Sequence, residues 1–82
     1  MNALIMENDF VKMNNIENVR LIRVKDKNHN LLIMKDYWPV VGQINGSITI
    51  EADETLQLDN IEGFYALSHN TFWVIIRKRV SL

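Results

Sequence analysis

The sequence predicts an all-β fold, a two-sheet β-sandwich or flattened barrel of about eight to nine short, mostly antiparallel strands. Three observations predict it. Turn-forming residues recur about every 6–12 positions, a spacing that suits short strands and leaves no room for long helices. Between the turns the commonest pattern is alternation of apolar and polar residues, the period of a half-buried strand. With only three glycines and one proline, punctuation falls to Asn and Asp, which tolerate left-handed turn conformations. At 82 residues and 48% apolar, the chain reads as one domain spanning residues 1–82. A chain of this length buries only about 60–65% of its unfolded surface, so its core is thin.

The elements follow in order. Leu4, Met6, Phe10, Met13 and Ile16 carry the only helix-like spacing. A helix there would have to absorb Asn8-Asp9 and Asn14-Asn15, poor helix formers that read as turns instead. Residues 19–24 are richer in apolar residues on both faces and read as a central strand, followed by a turn over Asp26-Lys27-Asn28-His29-Asn30. Asn45-Gly46, between Val40-Val41 and Ile48, is a strong hairpin signal. In Ser47-Ile48-Thr49-Ile50-Glu51 the two isoleucines share one face. Leu56 and Leu58 repeat that pattern beyond a turn at Asp53-Glu54, and Asp59-Asn60 reads as a further turn. Gly63, inside residues 61–67, marks a bulge or a close backbone approach. After a turn at Ser68-His69-Asn70, residues 71–77 read as a second central strand with Trp73 in the core. Arg77-Lys78-Arg79 reads as a solvated edge that discourages edge-to-edge pairing, the alternative being a contact with an acidic partner.

Composition excludes several functions. Nine Lys and Arg against ten Asp and Glu give a net charge of −1, without the basic field that nucleic-acid binding requires. Cysteine is absent, so there is no disulfide and no thiolate metal site. No apolar run approaches the roughly 20 residues of a membrane-spanning helix. The N-terminus also lacks a basic stretch followed by an apolar one, so a cytoplasmic address is expected. His29 and His69 lie in separate turns, and no HxH or HxxxH pair offers a metal site. No serine lies in a nucleophile elbow and no glycine-rich phosphate loop exists. The carboxylates Glu51, Asp53, Glu54 and Asp59 read as a solvated acidic hairpin. The expectation is a non-enzyme with no cofactor, no metal and no small-molecule substrate.

One segment stands out. Asp36-Tyr37-Trp38-Pro39 puts two aromatics beside the only proline, a composition enriched at protein interfaces. Tyr37 is expected to be the more exposed of the pair. Trp38 is equally read as an interface residue or as a plug for one end of the core.

The order of these pieces resembles the epsilon subunit of F-type ATP synthases (delta in mitochondrial naming), specifically its N-terminal β-sandwich domain. Residues 32–40, Leu-Ile-Met-Lys-Asp-Tyr-Trp-Pro-Val, look like the family's Gly-Ile-Leu-Pro-Gly-His-Ala-Pro-Leu-type segment. Asn15-Ile16-Glu17-Asn18-Val19 stands where the family has Gly-Glu-Val-Glu-Ser-Val. Ile61-Glu62-Gly63-Phe64-Tyr65-Ala66-Leu67, then Phe72-Trp73-Val74-Ile75, resembles Ser-Gly-Gly-Phe-Leu-Glu-Val followed by Val-Thr-Ile-Leu. The similarity runs from about Leu4 to Arg77, with Glu17, Pro39, Gly63 and Phe64 the strongest matches. Departures are Tyr37 at the family's histidine, Lys35-Asp36 at its preceding Pro-Gly, and Glu62 at one glycine of its Gly-Gly pair.

The resemblance implies a non-catalytic central-stalk subunit of an F-type or divergent F-type-like rotary ATPase. Such a subunit clamps a gamma-like stalk subunit and rests on a membrane rotor ring, with no direct membrane insertion. By position it implies a ring-facing loop of Lys27, Asn28, His29 and Asn30. The gamma-facing surface it implies includes Tyr37, Trp38, Val41 and Gln43. The family's C-terminal helical hairpin has no counterpart here, so neither ATP binding nor inhibition by that hairpin is expected. The competing expectation is a small β-sandwich adaptor or inhibitor unrelated to ATP synthase.

Overall fold

A computed structural model describes residues 1–7 and 12–79. It contains seven strands and, among the described residues, no helix: β1 (Asn2–Glu7), β2 (Lys12–Ile16), β3 (Leu21–Asp26), β4 (Asn30–Met34), β5 (Val40–Glu51), β6 (Thr55–Ser68) and β7 (Thr71–Arg79). They form one hydrogen-bonded sheet in the order β2-β1-β7-β6-β5-β3-β4. Every pair is antiparallel except β1 with β7. The all-β class is as predicted; the strands are fewer and two of them are longer.

The single sheet becomes a sandwich by folding over itself, as two adjacent hydrogen bonds demonstrate. Val19 donates its backbone N–H to the Met1 carbonyl at 2.8 Å, and Arg20 donates its own to the Glu51 carbonyl, also at 2.8 Å. Following the register across β1, β7, β6 and β5, Met1 lies level with the start of β5. Glu51 ends that 12-residue strand. In a flat sheet the two would be separated by about 35 Å. Neighbouring residues hold both, so their carbonyls lie within about 10 Å of each other. The Arg20 guanidinium also donates to the Ala52 carbonyl, fastening the same junction.

The fold-over occurs at two places that the sequence marks as turns. Gly46 pairs with Ile61 and Ile48 with Leu58, so β6 carries one extra residue. Asn60, in the left-handed region at φ 53°, lies in that bulge. Asn45-Gly46 is not a hairpin, because a two-residue turn of that kind needs positive φ at both residues, and neither has it. Gly46 serves a close approach instead: a β-carbon there would lie 2.2 Å from the Lys25 carbonyl oxygen. Asp59-Asn60 is likewise a bulge within β6 and not a chain reversal. Bulges bend and twist a strand pair without ending it, so β5 and β6 each serve both layers.

The other turn signals divide. Asp26 to Asn30, Asp53-Glu54 and Ser68 to Asn70 connect strands. His69 and Asn70, at φ 51° and 62°, make the two-residue type I′ turn that matches strand twist. Asn14-Asn15 is not a turn: both residues pair with β1, opposite Ile5 and Leu4. Asn8-Asp9 lies outside the described residues. Gly63 fulfils its expectation, since β7 gains a residue beside it and its backbone touches the Ile75 carbonyl so closely that a β-carbon would sit 2.0 Å away.

One core fills the space between the layers. Ile22, Val24 and Ile33 come from one side, Ile48, Ile50 and Leu58 from the corner, and Ala3, Ile5, Phe72, Val74 and Ile76 from the other side. Tyr65 stacks on Phe72 with ring centroids 6.0 Å apart. No polar or charged residue among those described is buried.

Candidate functional site

Each strand shows one face to the core and the other outward, so the outer faces can be read directly from the register. Over β3, the second half of β5 and the first half of β6, the outer face is largely polar: Arg23 pairs with Thr49, and Thr49 with Gln57, whose side chains hydrogen-bond to each other, while β4 adds the exposed Leu32 and Met34 beside them. Over the first half of β5, the second half of β6, β7 and β1 it is apolar. One row runs Val41, Ala66, Trp73, Leu4; the next runs Gln43, Phe64, Ile75, Met6 and continues to Met13 on β2. Val41 is 80% exposed, and Phe64, Trp73 and Ile75 are also exposed. Met6 is buried, yet it stands outside the central core cluster. Between the rows lies a groove of about 410 Å³ lined by Val41, Gln43, Phe64, Ala66, Trp73 and Ile75.

The turn between β3 and β4 borders this face. The Asp26 carboxylate accepts the backbone N–H groups of Asn28 at 2.8 Å and His29 at 2.7 Å, while His29 Nδ1 stands 3.2 Å from the same oxygen. The Asn28 bond is the largest effect holding the Asp26 carboxyl below its ordinary pKa; desolvation opposes it, and the His29 contacts add to it. Burial pushes the Tyr65 hydroxyl upward, with smaller contributions from the charges of Asp26 and Tyr37. A cleft of about 350 Å³ separates this turn from the sheet, lined by Asn28, His29, Gln43, Glu62, Phe64 and Arg77 among others.

The structure brings together four of the eight residues that the sequence singled out, Asn28, His29, Val41 and Gln43, and leaves the other four apart. Val41 and Gln43 lie on the apolar face. Asn28 and His29 lie across the cleft at its rim, with Gln43 and Phe64 shared between cleft and groove. Lys27 stands on the far flank of the same turn, near Asn45 and Asp59, and Asn30 opens β4 opposite Lys25. Tyr37 and Trp38 lie in the exposed connection 35–39, where the Tyr37 N–H caps the Met34 carbonyl at 3.1 Å.

Two expectations about aromatics are corrected. Trp38 is 83% exposed against 39% for Tyr37, so it is the more exposed of the pair and no plug for the core. Its connection simply runs outside the layers. Trp73 is 41% exposed and faces outward. Phe72, Val74 and Ile76 occupy the inner face of β7 and strand pleating sends Trp73 and Ile75 the other way.

The outer contributions of Phe64, Ala66, Trp73, Ile75, Leu4 and Met6 were not anticipated, although a signal existed. In a two-layer sandwich every strand has an outward face, so five consecutive apolar residues at 72–76 must expose some of them. What this face offers is burial against another surface. Among the described residues no three His, Cys, Asp or Glu side chains gather where a metal ion would be held. No helix among them is long and apolar enough to cross a membrane. No known protein family and no curated protein matches the chain.

Proposed function

We propose that this chain is a non-catalytic central-stalk subunit of an F-type or divergent F-type-like rotary ATPase, which clamps a gamma-like subunit and couples ATP hydrolysis or synthesis to rotation. The observation that carries it is the apolar outer face spanning β5, β6, β7 and β1, with Val41 and Gln43 of the family-implied gamma-facing surface on it. Over β3 and the second half of β5 the outer face is largely polar, with Leu32 and Met34 exposed on the neighbouring β4. Four strands at about 4.8 Å spacing and two rows about 7 Å apart give an apolar area on the order of 300 Å². That is the size of the largest apolar patch on a typical monomer, which is often functional.

A stiff, closely packed sandwich suits a part that transmits torque, because interiors at crystal-like density yield little. The chain acts by contact and not by chemistry, and it reaches the cytoplasmic side of the membrane through the complex. Asn28 and His29, at the rim of the face, lie on the side that meets the rotor ring. The departures at Lys35, Asp36 and Tyr37 fall in the exposed connection beside the face and favour a divergent complex.

Affinity purification of the tagged chain from its own cells, read by mass spectrometry, tests this. Recovery of alpha-, beta- and gamma-like subunits is the expected result, and ring subunits among them would indicate the standard enzyme. Recovery of the chain alone, or with unrelated proteins only, would overturn it in favour of an adaptor or inhibitor.

A further inference from the structure

β4 ends the sheet: β3 pairs with one flank, and no described element runs along the other. Sheet edges are usually blunted by charge, proline or a bulge. From Asn30 to Met34, Asn-Leu-Leu-Ile-Met, β4 carries none of these. Leu32 and Met34 are both exposed on its outer face.

The surroundings of this edge are basic although the chain is not. Residues 20–36 hold five basic residues, Arg20, Arg23, Lys25, Lys27 and Lys35, against two acidic ones, Asp26 and Asp36, a net +3 in a chain whose total is −1. The Asp26 carboxylate is moreover engaged by its own turn. Lys25, on β3 opposite Asn30, and Lys35 are exposed at the two ends of β4.

We infer that the free edge of β4 is a strand-addition site for an extended segment of another protein, one that alternates apolar residues and carries acidic residues at its ends. Main-chain hydrogen bonds to the unpaired edge supply affinity, and the Leu32 and Met34 side chains select apolar residues at alternate positions. Lys25 and Lys35 meet the acidic ends. Charge decides against a second copy of this chain as occupant, because joining two β4 edges brings two hairpins of net +3 together. The site is remote in the sheet order from the apolar face on β5, β6, β7 and β1, and does not rest on the stalk proposal.

The test uses the full chain and two synthetic peptides, Asp-Thr-Val-Thr-Val-Thr-Glu and its counterpart with lysine in place of both acids. Amide hydrogen exchange followed by NMR is expected to show protection at alternate amides of β4 with the acidic peptide only. A Lys25→Glu, Lys35→Glu variant, altered at exposed positions, is expected to bind the acidic peptide about tenfold more weakly and to prefer the basic one. Protection by neither peptide, equal protection by both, or protection on residues 64–75 in place of β4 would overturn the inference. So would concentration-dependent protection of β4 without any peptide, which identifies a second copy as the occupant.

Discussion

Phe72 and Trp73 are neighbours in sequence on opposite sides of one sheet: Phe72 is fully buried against Tyr65, while Trp73 stands on the outer face between Ala66 and Leu4. Their substitutions should therefore separate stability from binding. Phe72→Ala removes a fully buried ring and should cost about 3–5 kcal/mol in urea unfolding. Trp73→Ser should cost about 1 kcal/mol or less and still abolish much of the partner recovery. Equal destabilisation by the two would show that Trp73 belongs to the core.

Gly46 should resist the smallest possible enlargement. Its missing β-carbon is replaced by the Lys25 carbonyl, a backbone atom held in the β3–β5 ladder, so it has no rotamer by which to retreat. Gly46→Ala should destabilise by about 1–3 kcal/mol and lower the melting temperature by several degrees. An unchanged melting temperature would mean that the corner bends without this close approach.

The turn at Asp26 should give the fold an acid-sensitive component. Its carboxyl pKa is lowered on folding below the ordinary 3.8 by the Asn28 N–H, desolvation opposing and His29 assisting. A depressed pKa favours the folded state above the unfolded value, and that contribution is lost as pH falls through the folded value. Asp26→Asn keeps an oxygen acceptor but cannot titrate. The stability difference between wild type and this variant should shrink as pH falls below 3.8. A difference that grows on acidification would contradict the geometry of this turn.

Tyr37 and Trp38 lie outside the core, so their removal should spare the fold. The Tyr37→Ala, Trp38→Ala double variant should unfold within about 1 kcal/mol of wild type. If the pair anchors the gamma-like partner, truncation should cost about 2 kcal/mol or more of binding, some thirtyfold in affinity. Undiminished co-purification of a folded variant would move the anchor entirely onto the Val41 and Trp73 face.

Much of the strand content was legible because alternation is a local property. Ile48 with Ile50, and Leu56 with Leu58, turn toward the core as their spacing requires. Legibility failed where one residue type serves several geometries. Asn and Gly mark turns, bulges and close approaches alike: Asp59-Asn60 became a bulge in β6 and Gly46 a close approach to the Lys25 carbonyl, where a long hairpin bends without reversing. No local preference reveals which residue lies opposite.

The candidate site was legible in part for the same reason. Val41 and Gln43 were singled out by position, but the rows they belong to take one or two residues from each of four or five strands, and no stretch of sequence contains a row. By itself the sequence determined the class of fold, the inward-facing pairs Ile48 with Ile50 and Leu56 with Leu58, the turn at Asp26 and the absence of thiol chemistry. Those follow from side-chain chemistry and a period of two. Only the tertiary structure decided that one sheet folds over to meet itself at Val19 and Arg20, that Trp73 faces outward, and that β4 is left as an edge. Each of these depends on which strands lie side by side, and that is settled by burial summed over the whole chain, not by the preference of any segment.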